Sequence, residues 1–232
     1  MQEVIPINPT HTDAQHHERL LAALGAGNSS TRLQAALVAG TRADPALLDV
    51  LVARCAIEPD FFVRDMLTWA LTRLPAEDTV PRLLAELRSG RAQARSQALH
   101  TLSKIGDRST WPAITRSLLH DADDEVARSA WRAAVVLVPA GERPALAADL
   151  GGQLGRGDRA VQLSLSRALV ALGEAIEPAL RAGLASADPV VRAHARATER
   201  LLLDPDAGFD LAVDEADRIV ALGPERAGGA GC

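Results

Sequence analysis

The sequence predicts an all-α solenoid, a fold in which pairs of helices repeat along the chain. Three observations lead to this class. A short pattern recurs every 30 to 35 residues, and such a period is typical of stacked repeats. Apolar residues within each copy are spaced as on one face of a helix. Aromatic residues make up only 3% of the chain, with no tyrosine, so the core must consist of aliphatic side chains, which suit closely packed helices.

The repeat is clearest when each copy is aligned on one position, called here the station, which is the valine of an Asp-x-x-Val-Arg pattern. The stations are Thr31, Val63, Ala94, Val126, Val161 and Val191. Positions 0, +4, +7, +8 and +11 from the station are mostly apolar, as in Val63, Leu67, Ala70, Leu71 and Leu74. This spacing predicts a helix with one buried face, called here helix B.

Capping residues and prolines predict where the helices begin and end. A residue that can cap a helix stands three positions before most stations: Asn28, Asp60, Asp123, Asp158 and Asp188. Arg91 replaces it in the third copy, so that cap must differ. Upstream of the last five stations a second helix, helix A, carries a proline in its predicted first turn: Pro45, Pro81, Pro112, Pro144 and Pro178. Gly106 and Gly173 are predicted to end two of the B helices.

The proline of helix A, the Asp turn and the Val-Arg opening of helix B together resemble the HEAT-repeat family, in the variety also found in phycobilisome-lyase-type proteins. Arginine follows the station at Arg32, Arg64, Arg95 and Arg192, whereas Ala127 and Gln162 depart from the pattern. The resemblance covers residues 13–203 and implies about six helix pairs. It implies no single function, because HEAT arrays host many roles.

The ends of the chain differ from the repeats. Residues 1–12 are rich in proline and polar residues and are expected to form an arm, followed by the solenoid over 13–203. Residues 204–223 predict an acidic helix that caps the last repeat, and 224–232 a disordered tail. No signal peptide or long apolar run is visible, so we expect a cytoplasmic protein without a membrane partner. Lys104 is the only lysine, and this preference for arginine suggests a GC-rich bacterial genome.

The resemblance also indicates where a partner would bind, because B helices line the concave side of HEAT-type arrays. Positions +2, +6 and +9 point away from the core of helix B. In the middle copies these positions, with Lys104 at the rim, hold the predicted binding residues: Asp65, Trp69, His100, Arg128, Arg132 and Arg167. We expect a groove that binds a protein or peptide, with a small ligand as another possibility. In the alternative interpretation, Trp69 covers apolar surface between repeats and the arginines are merely solvated.

Two other functions remain open. HEAT-like alkylpurine DNA glycosylases use a basic groove with a tryptophan and a catalytic aspartate, which Asp65 and Trp69, flanked by Arg128 and Arg132, resemble faintly. The net charge of −5 and the lack of a long basic track disfavour nucleic acid. A bilin lyase is the second alternative, and only the type of repeat suggests it.

No arrangement of nucleophile, base and orienting group is visible, and no glycine-rich phosphate loop, so the sequence disfavours an enzyme and predicts no catalytic residue and no cofactor. Two stretches resemble metal sites. The run HTDAQHH, with His11, Asp13, His16 and His17, is interpreted as the start of helix A, and the acidic run 120–125 as the turn between helices A and B. We therefore predict no metal site. Trp111, Trp131 and Cys55 are interpreted as packing residues.

Overall fold

The computed structural model describes residues 9–204 and Val213 of the chain. Within this part there are twelve α-helices and no strand, which confirms the all-α class. The described residues form two compact units that divide between Ile105 and Gly106. They are called here unit 1 (residues 9–105) and unit 2 (residues 106–204), and each contains three of the predicted helix pairs.

Unit 1 consists of α1 (Pro9–Leu24) with α2 (Ser29–Arg42), α3 (Leu48–Cys55) with α4 (Phe61–Thr72), and α5 (Ala76–Glu86) with α6 (Ala92–Ile105). A short 3-10 helix, Pro45–Leu47, runs directly into α3. The B helices are α2, α4 and α6, and they contact one another in this order.

Unit 2 consists of α7 (Arg116–Leu119) with α8 (Asp124–Leu137), α9 (Arg143–Gly151) with α10 (Arg159–Val170), and α11 (Glu177–Leu184) with α12 (Pro189–Leu203). Each A helix follows a 3-10 helix: Arg108–Ala113, Ala140–Glu142 and Gly173–Ile176. The B helices are α8, α10 and α12, and α10 contacts both of the others.

The predicted caps begin five of the B helices. The side chains of Asn28, Asp60, Asp123, Asp158 and Asp188 each accept a hydrogen bond from a backbone N–H of the first helical turn. Before α6, where Arg91 breaks the pattern, the Ser89 hydroxyl accepts from the Arg91 N–H at 3.3 Å. Gly106 and Gly173 adopt positive φ angles of 72° and 66°, which glycine tolerates at the end of a helix.

The buried positions follow the predicted spacing. All five core positions are buried in α4 and in α10 with the residues after them, and Leu67 and Leu165, both at +4, are fully buried. The first repeat differs, since Thr31 at position 0 and Val38 at position +7 are exposed. Among the described residues, this repeat contacts a neighbouring repeat on one side.

The proline prediction is only partly correct. Pro45, Pro144 and Pro178 lie in the first turn of a helix. Pro81 instead lies inside α5, because that helix begins five residues earlier at Ala76. Pro112 lies inside the 3-10 helix Arg108–Ala113, and α7 begins only after it.

The arginine that follows the station donates hydrogen bonds to the turn between helices A and B. Arg64 Nη1 donates to the backbone carbonyls of Glu58 and Pro59 at 2.9 and 2.8 Å. Arg192 Nη1 bonds the carbonyls of the corresponding turn residues, five and six positions earlier, at 2.8 and 2.7 Å. Arg32 makes the same pair of bonds and Arg95 one of them. Because a buried or turn carbonyl needs a donor, this explains the Val-Arg pattern.

The structure bears differently on the two predicted ends. Helix α1 begins at Pro9, within the residues predicted to form the arm. The predicted capping helix over 204–223 and the tail over 224–232 lie outside the described residues, except for Asp204 and Val213. Val213 is buried against Ala197 and Leu201 of α12.

Candidate binding faces on the B helices

The positions +2, +6 and +9 of the B helices form two separate surfaces, one in each unit. Those on α2, α4 and α6 are called here the unit 1 face, and those on α8, α10 and α12 the unit 2 face. Asp65, Trp69 and His100 lie on the unit 1 face, with Lys104 beside it. Arg128, Arg132 and Arg167 lie on the unit 2 face. The predicted groove would join residues of both units, and it stays a prediction.

Trp69 is the largest side chain on the unit 1 face. Its ring lies directly over Gly40 of α2, so that a Cβ atom on Gly40 would stand only 2.3 Å from Trp69 Cζ3. Trp69 is still 37% exposed, and Leu37, three residues before Gly40 on the same helix, is 40% exposed. Trp69 therefore both packs between two repeats and presents apolar surface to solvent.

The other predicted residues of unit 1 lie on α4, with Trp69, and on the next B helix, α6. Asp65 is exposed one turn before it on α4, Lys104 is exposed in the last turn of α6, and His100 is half-buried on α6. Two other positions of the unit 1 face, Gly40 at +9 and Ser96 at +2, are buried. Gly40 is buried beneath the Trp69 ring, so the predicted phase of the helices is retained there.

The unit 2 face is dominated by arginine. Arg128 Nη1 donates to Glu125 Oε1 at 2.6 Å, and Arg132 Nη2 donates to the Ser129 hydroxyl at 3.1 Å. Partial burial, followed by the positive charge of Arg128, lowers the pKa of Arg132 from its ordinary value. Arginine nevertheless stays charged at neutral pH. Arg167 is exposed on α10.

Not every position of the unit 2 face is exposed to solvent. Ala193 and Ala197 of α12 are buried, and Ala197 packs against Leu201 and Val213. The exposed part of this face therefore centres on α8 and α10.

A buried charged cluster in unit 1 was not predicted from the sequence. The Glu58 carboxylate is fully buried and accepts from Arg32 at 2.7 Å and from Arg54 at 2.6 Å. Burial alone would raise the pKa of Glu58, but hydrogen bonds from Arg32, the Asp60 N–H and Arg54 outweigh it and lower the pKa to about 2. The cluster joins the turns of two successive repeats, and its burial gives it a structural role. Arg54 and Glu58 are four residues apart, but Arg32 lies 26 residues before Glu58, and no spacing in the sequence connects it to them.

A buried neutral cluster occupies the last two repeats of unit 2. The Gly155 N–H donates to His194 Nδ1 at 2.9 Å, so the ring proton lies on Nε2. That atom is 3.0 Å from both the Gln162 carbonyl and the Ser166 hydroxyl, and Ser166 is 2.7 Å from the Thr198 hydroxyl. Burial lowers the pKa of His194 to about 4, against the opposing effect of the Gln162 carbonyl.

The contact between Ser166 and His194 does not form a catalytic pair. A general base must accept the serine proton, whereas His194 Nε2 donates and its other nitrogen already accepts from Gly155. Both side chains are also buried, with 0% and 1% exposure. This cluster therefore stabilises the packing of α10 on α12.

The acidic run 120–125 forms the turn between α7 and α8 and the start of α8, and it is not a separate ion-binding loop. Asp123 caps α8, and Asp124 pairs with Arg156 at 2.8 Å. Arg156 also lies 5.7 Å from the centre of the Trp131 ring, which is fully buried. No group of three or more potential metal ligands is present in the part of the chain that the structure describes.

The remaining singled-out residues lie apart from the two faces. Trp111 is half-buried and donates from Nε1 to Glu142 at 2.8 Å. Cys55 is buried, which raises the pKa of its thiol to about 12. His16 is exposed and His17 half-buried on α1, while the side chains of His11 and Asp13 lie outside the described residues. Among the described helices, none has the length and apolar character needed to cross a bilayer.

Comparison with known proteins identifies the type of repeat. Residues 58–135 match the family model of HEAT repeats. These residues run from the turn before α4, in unit 1, into α8, in unit 2. The resemblance to the HEAT-repeat family is therefore confirmed for this part of the chain. No curated protein matches the chain.

Several solved structures are also similar to the chain. One is the complex of CpcE and CpcF of phycocyanin lyase from Nostoc sp. PCC7120, at 21% identity and a TM-score of 0.46, covering 95% of this chain and 88% of that one. Two are engineered proteins of the Northeast Structural Genomics Consortium. They are 19% and 22% identical, with TM-scores of 0.42 and 0.44, covering 82% and 86% of this chain and 98% and 96% of theirs.

Proposed function

We propose that this protein is a non-catalytic binding module that holds a partner protein or peptide on the exposed faces of its B helices. The observation that carries the proposal is the position of Trp69. Its ring lies directly over Gly40, and yet the residue remains more than one-third exposed. A rigid aromatic side chain of this kind loses little conformational entropy when a partner covers it.

The surroundings of Trp69 fit an apolar anchor point on a partner. Leu37 is exposed on the neighbouring helix, and Asp65 is exposed one turn away on α4. Interfaces commonly combine a small apolar centre with polar residues at the rim. Aromatic residues at such centres often account for much of the binding free energy.

The test is a selection of short peptides from a displayed random library against the full chain, followed by calorimetry with the selected peptides. Trp69→Ala is expected to weaken binding of the apolar peptides by about 2 kcal/mol. Phe62→Ala is the matched control, because Phe62 is an exposed aromatic residue on the same helix but lies in its first turn, off the unit 1 face.

Two results would contradict the proposal. One is a selection that yields no peptide whose binding depends on either face. The other is a Trp69→Ala variant that binds like the parent but melts at a much lower temperature. Trp69 would then serve only to pack α4 on α2.

A further inference from the structure

The unit 2 face has an unusual charge for this chain. Acidic residues outnumber arginine and lysine by 30 to 25 in the whole sequence, so composition alone would favour carboxylates at the surface. The nine positions of the face nevertheless hold four arginines and no carboxylate: Arg128, Arg132, Val135, Leu163, Arg167, Val170, Ala193, Ala197 and Arg200. This face is therefore a local positive patch on an acidic chain.

Three of these four arginines, those other than Arg128, have charges available to a partner, and two of the three lie on neighbouring helices at the centre of the face. Arg128 is already paired with Glu125. Arg132 and Arg167 are exposed, and neither forms an ion pair with any residue in the described part of the chain. They occupy the same position, +6 from the station, on α8 and α10, and these two helices pack against each other. Packed helices lie about 10 Å apart, and this sets the approximate spacing of the two charges.

Apolar side chains accompany both arginines. Val135 and Val170 each follow the arginine of their helix by three residues, and Leu163 precedes Arg167 by four, so all three lie about one turn away. Each of the three is half-buried, and Leu163 and Val170 pack on one side against the buried cluster of Ala197, Leu201 and Val213. A bound chain would thus meet two cations beside an apolar surface.

We propose that the unit 2 face binds an acidic peptide segment, with carboxylates against Arg132 and Arg167 and apolar side chains against Val135 and the exposed parts of Leu163 and Val170. This inference rests on the proposed binding function and names the chemistry of one partner. Charges about 10 Å apart match carboxylates three residues apart in a peptide with the polyproline II conformation, in which every third side chain lies on the same face and the rise is about 3.1 Å per residue. In a helical peptide they match carboxylates seven residues apart, at about 1.5 Å per residue.

The composition of the face favours a peptide over a nucleic acid. Proteins that bind single-stranded nucleic acids combine a basic groove with aromatic side chains on which the bases stack. The nine positions of the unit 2 face contain no aromatic residue, and Trp131 on α8 is fully buried. The net charge of −5 also opposes the approach of a long polyanion.

The test measures fluorescence anisotropy of labelled peptides with the full chain at low salt. The peptides share an alanine and leucine background and carry two glutamates at separations of two, three, four, five or seven residues. We expect the tightest binding at three or seven. The double variant Arg132→Gln/Arg167→Gln should bind these peptides about tenfold more weakly, because it removes two exposed ion pairs with the peptide.

The matched control is the double variant Arg108→Gln/Arg181→Gln. It removes the same charge from the same unit, but both residues are exposed on A-side elements, the first 3-10 helix of unit 2 and α11. Its affinity should equal that of the parent. Circular dichroism melts of both double variants confirm that they remain folded.

Each other outcome overturns the inference in a distinguishable way. Equal weakening in both double variants would mean that net charge, and not this face, binds the peptides. If no acidic peptide binds at about 1 mM while library peptides bind through Trp69, this inference fails and the proposed function stands. If no peptide of any kind binds, both fail. If an oligothymidylate binds more tightly than every peptide and loses affinity in the Arg132→Gln/Arg167→Gln variant, the partner is a nucleic acid.

Discussion

Unit 1 and unit 2 each contain three helix pairs of the same type, but their B-helix faces differ in chemistry. The unit 1 face presents Trp69 and Leu37, which are apolar and exposed. The unit 2 face presents Arg132 and Arg167. Because each repeat contacts mainly its neighbours, the core positions can stay constant while the face positions change from one repeat to the next.

The two units also differ in the polar groups that they bury. Unit 1 buries the charged cluster of Glu58 with Arg32 and Arg54. Unit 2 buries the neutral cluster of His194, Ser166 and Thr198. The two clusters respond to acid over different ranges of pH, and this provides a way to distinguish the units in solution.

The shared core is the first part of this comparison to test. Leu67→Ala in unit 1 and Leu165→Ala in unit 2 truncate fully buried side chains at the same position, +4 from the station. We expect each to lower the free energy of unfolding by roughly 2 to 5 kcal/mol, as measured by urea denaturation. Leu37→Ala is the control, because that side chain is 40% exposed, and it should cost much less. Unchanged stability in both core variants would mean that the two units do not share a core register.

The charged cluster of unit 1 predicts an acid response at low pH. The pKa of Glu58 is lowered to about 2, so the unfolded state takes up the proton first as the pH falls, and the stabilisation is lost between about pH 4.5 and pH 2. The stability gap between the parent and Glu58→Gln, measured by urea denaturation, should stay constant above about pH 5 and narrow below it. A gap independent of pH would contradict the buried ionised carboxylate.

The neutral cluster of unit 2 predicts a response at higher pH. The pKa of His194 is lowered to about 4, so the unfolded state again binds the proton first, and stability falls as the pH drops from about 6.5 to about 4. The stability gap between the parent and His194→Gln should narrow over this range. If the gap instead widened on acidification, His194 would be protonated in the folded protein, and the assigned hydrogen bond from Gly155 would be wrong.

The contact between α2 and α4 belongs to unit 1 alone. In Gly40→Ala the new Cβ would lie 2.3 Å from the Trp69 ring and 2.9 Å from the Ala70 Cα, so the helices must separate. We expect a loss of about 1 to 3 kcal/mol in the free energy of unfolding. Gly90→Ala is the control, since a Cβ there meets no atom within 4 Å. Full retention of stability in Gly40→Ala would show that α2 and α4 are not so close.

Arginines that donate hydrogen bonds to the turn carbonyls occur in both units. We expect their removal to lower the free energy of unfolding by less than the changes in the core. Arg64→Met in unit 1 and Arg192→Met in unit 2 keep most of the aliphatic stem but remove two hydrogen bonds to turn carbonyls. Each should lower stability by about 1 to 2 kcal/mol. Arg73→Met, at an exposed arginine just after α4, is the control. Equal effects of all three substitutions would mean that the carbonyl bonds contribute nothing specific.

The fold was predictable because it depends on local signals that recur. The spacing of Val63, Leu67 and Leu71 predicted a helix face, and Asp60 predicted its start; both predictions are confirmed. Pro81 was misplaced because proline is compatible with a first turn without requiring one, and the extent of α5 depends on residues before it.

The faces were only partly predictable. Helical phase placed Trp69, Arg132 and Arg167 at the surface, as the structure also does. It could not reveal that Trp69 lies on Gly40, because that contact joins positions in two helices with no shared pattern. The clusters around Glu58 and His194 were missed for the same reason, since their members meet only after the repeats have packed.

The most direct test of the contrast between the two faces is calorimetry with one apolar and one acidic peptide at low and high salt. We predict that Trp69→Ala weakens only the apolar peptide, by about 2 kcal/mol at both salt concentrations. Arg132→Glu should weaken only the acidic peptide, and by less at high salt, because exposed charges are screened there. If each variant weakened both peptides equally, or if the effect of Arg132→Glu did not depend on salt, the two faces would not have the separate chemistry assigned to them.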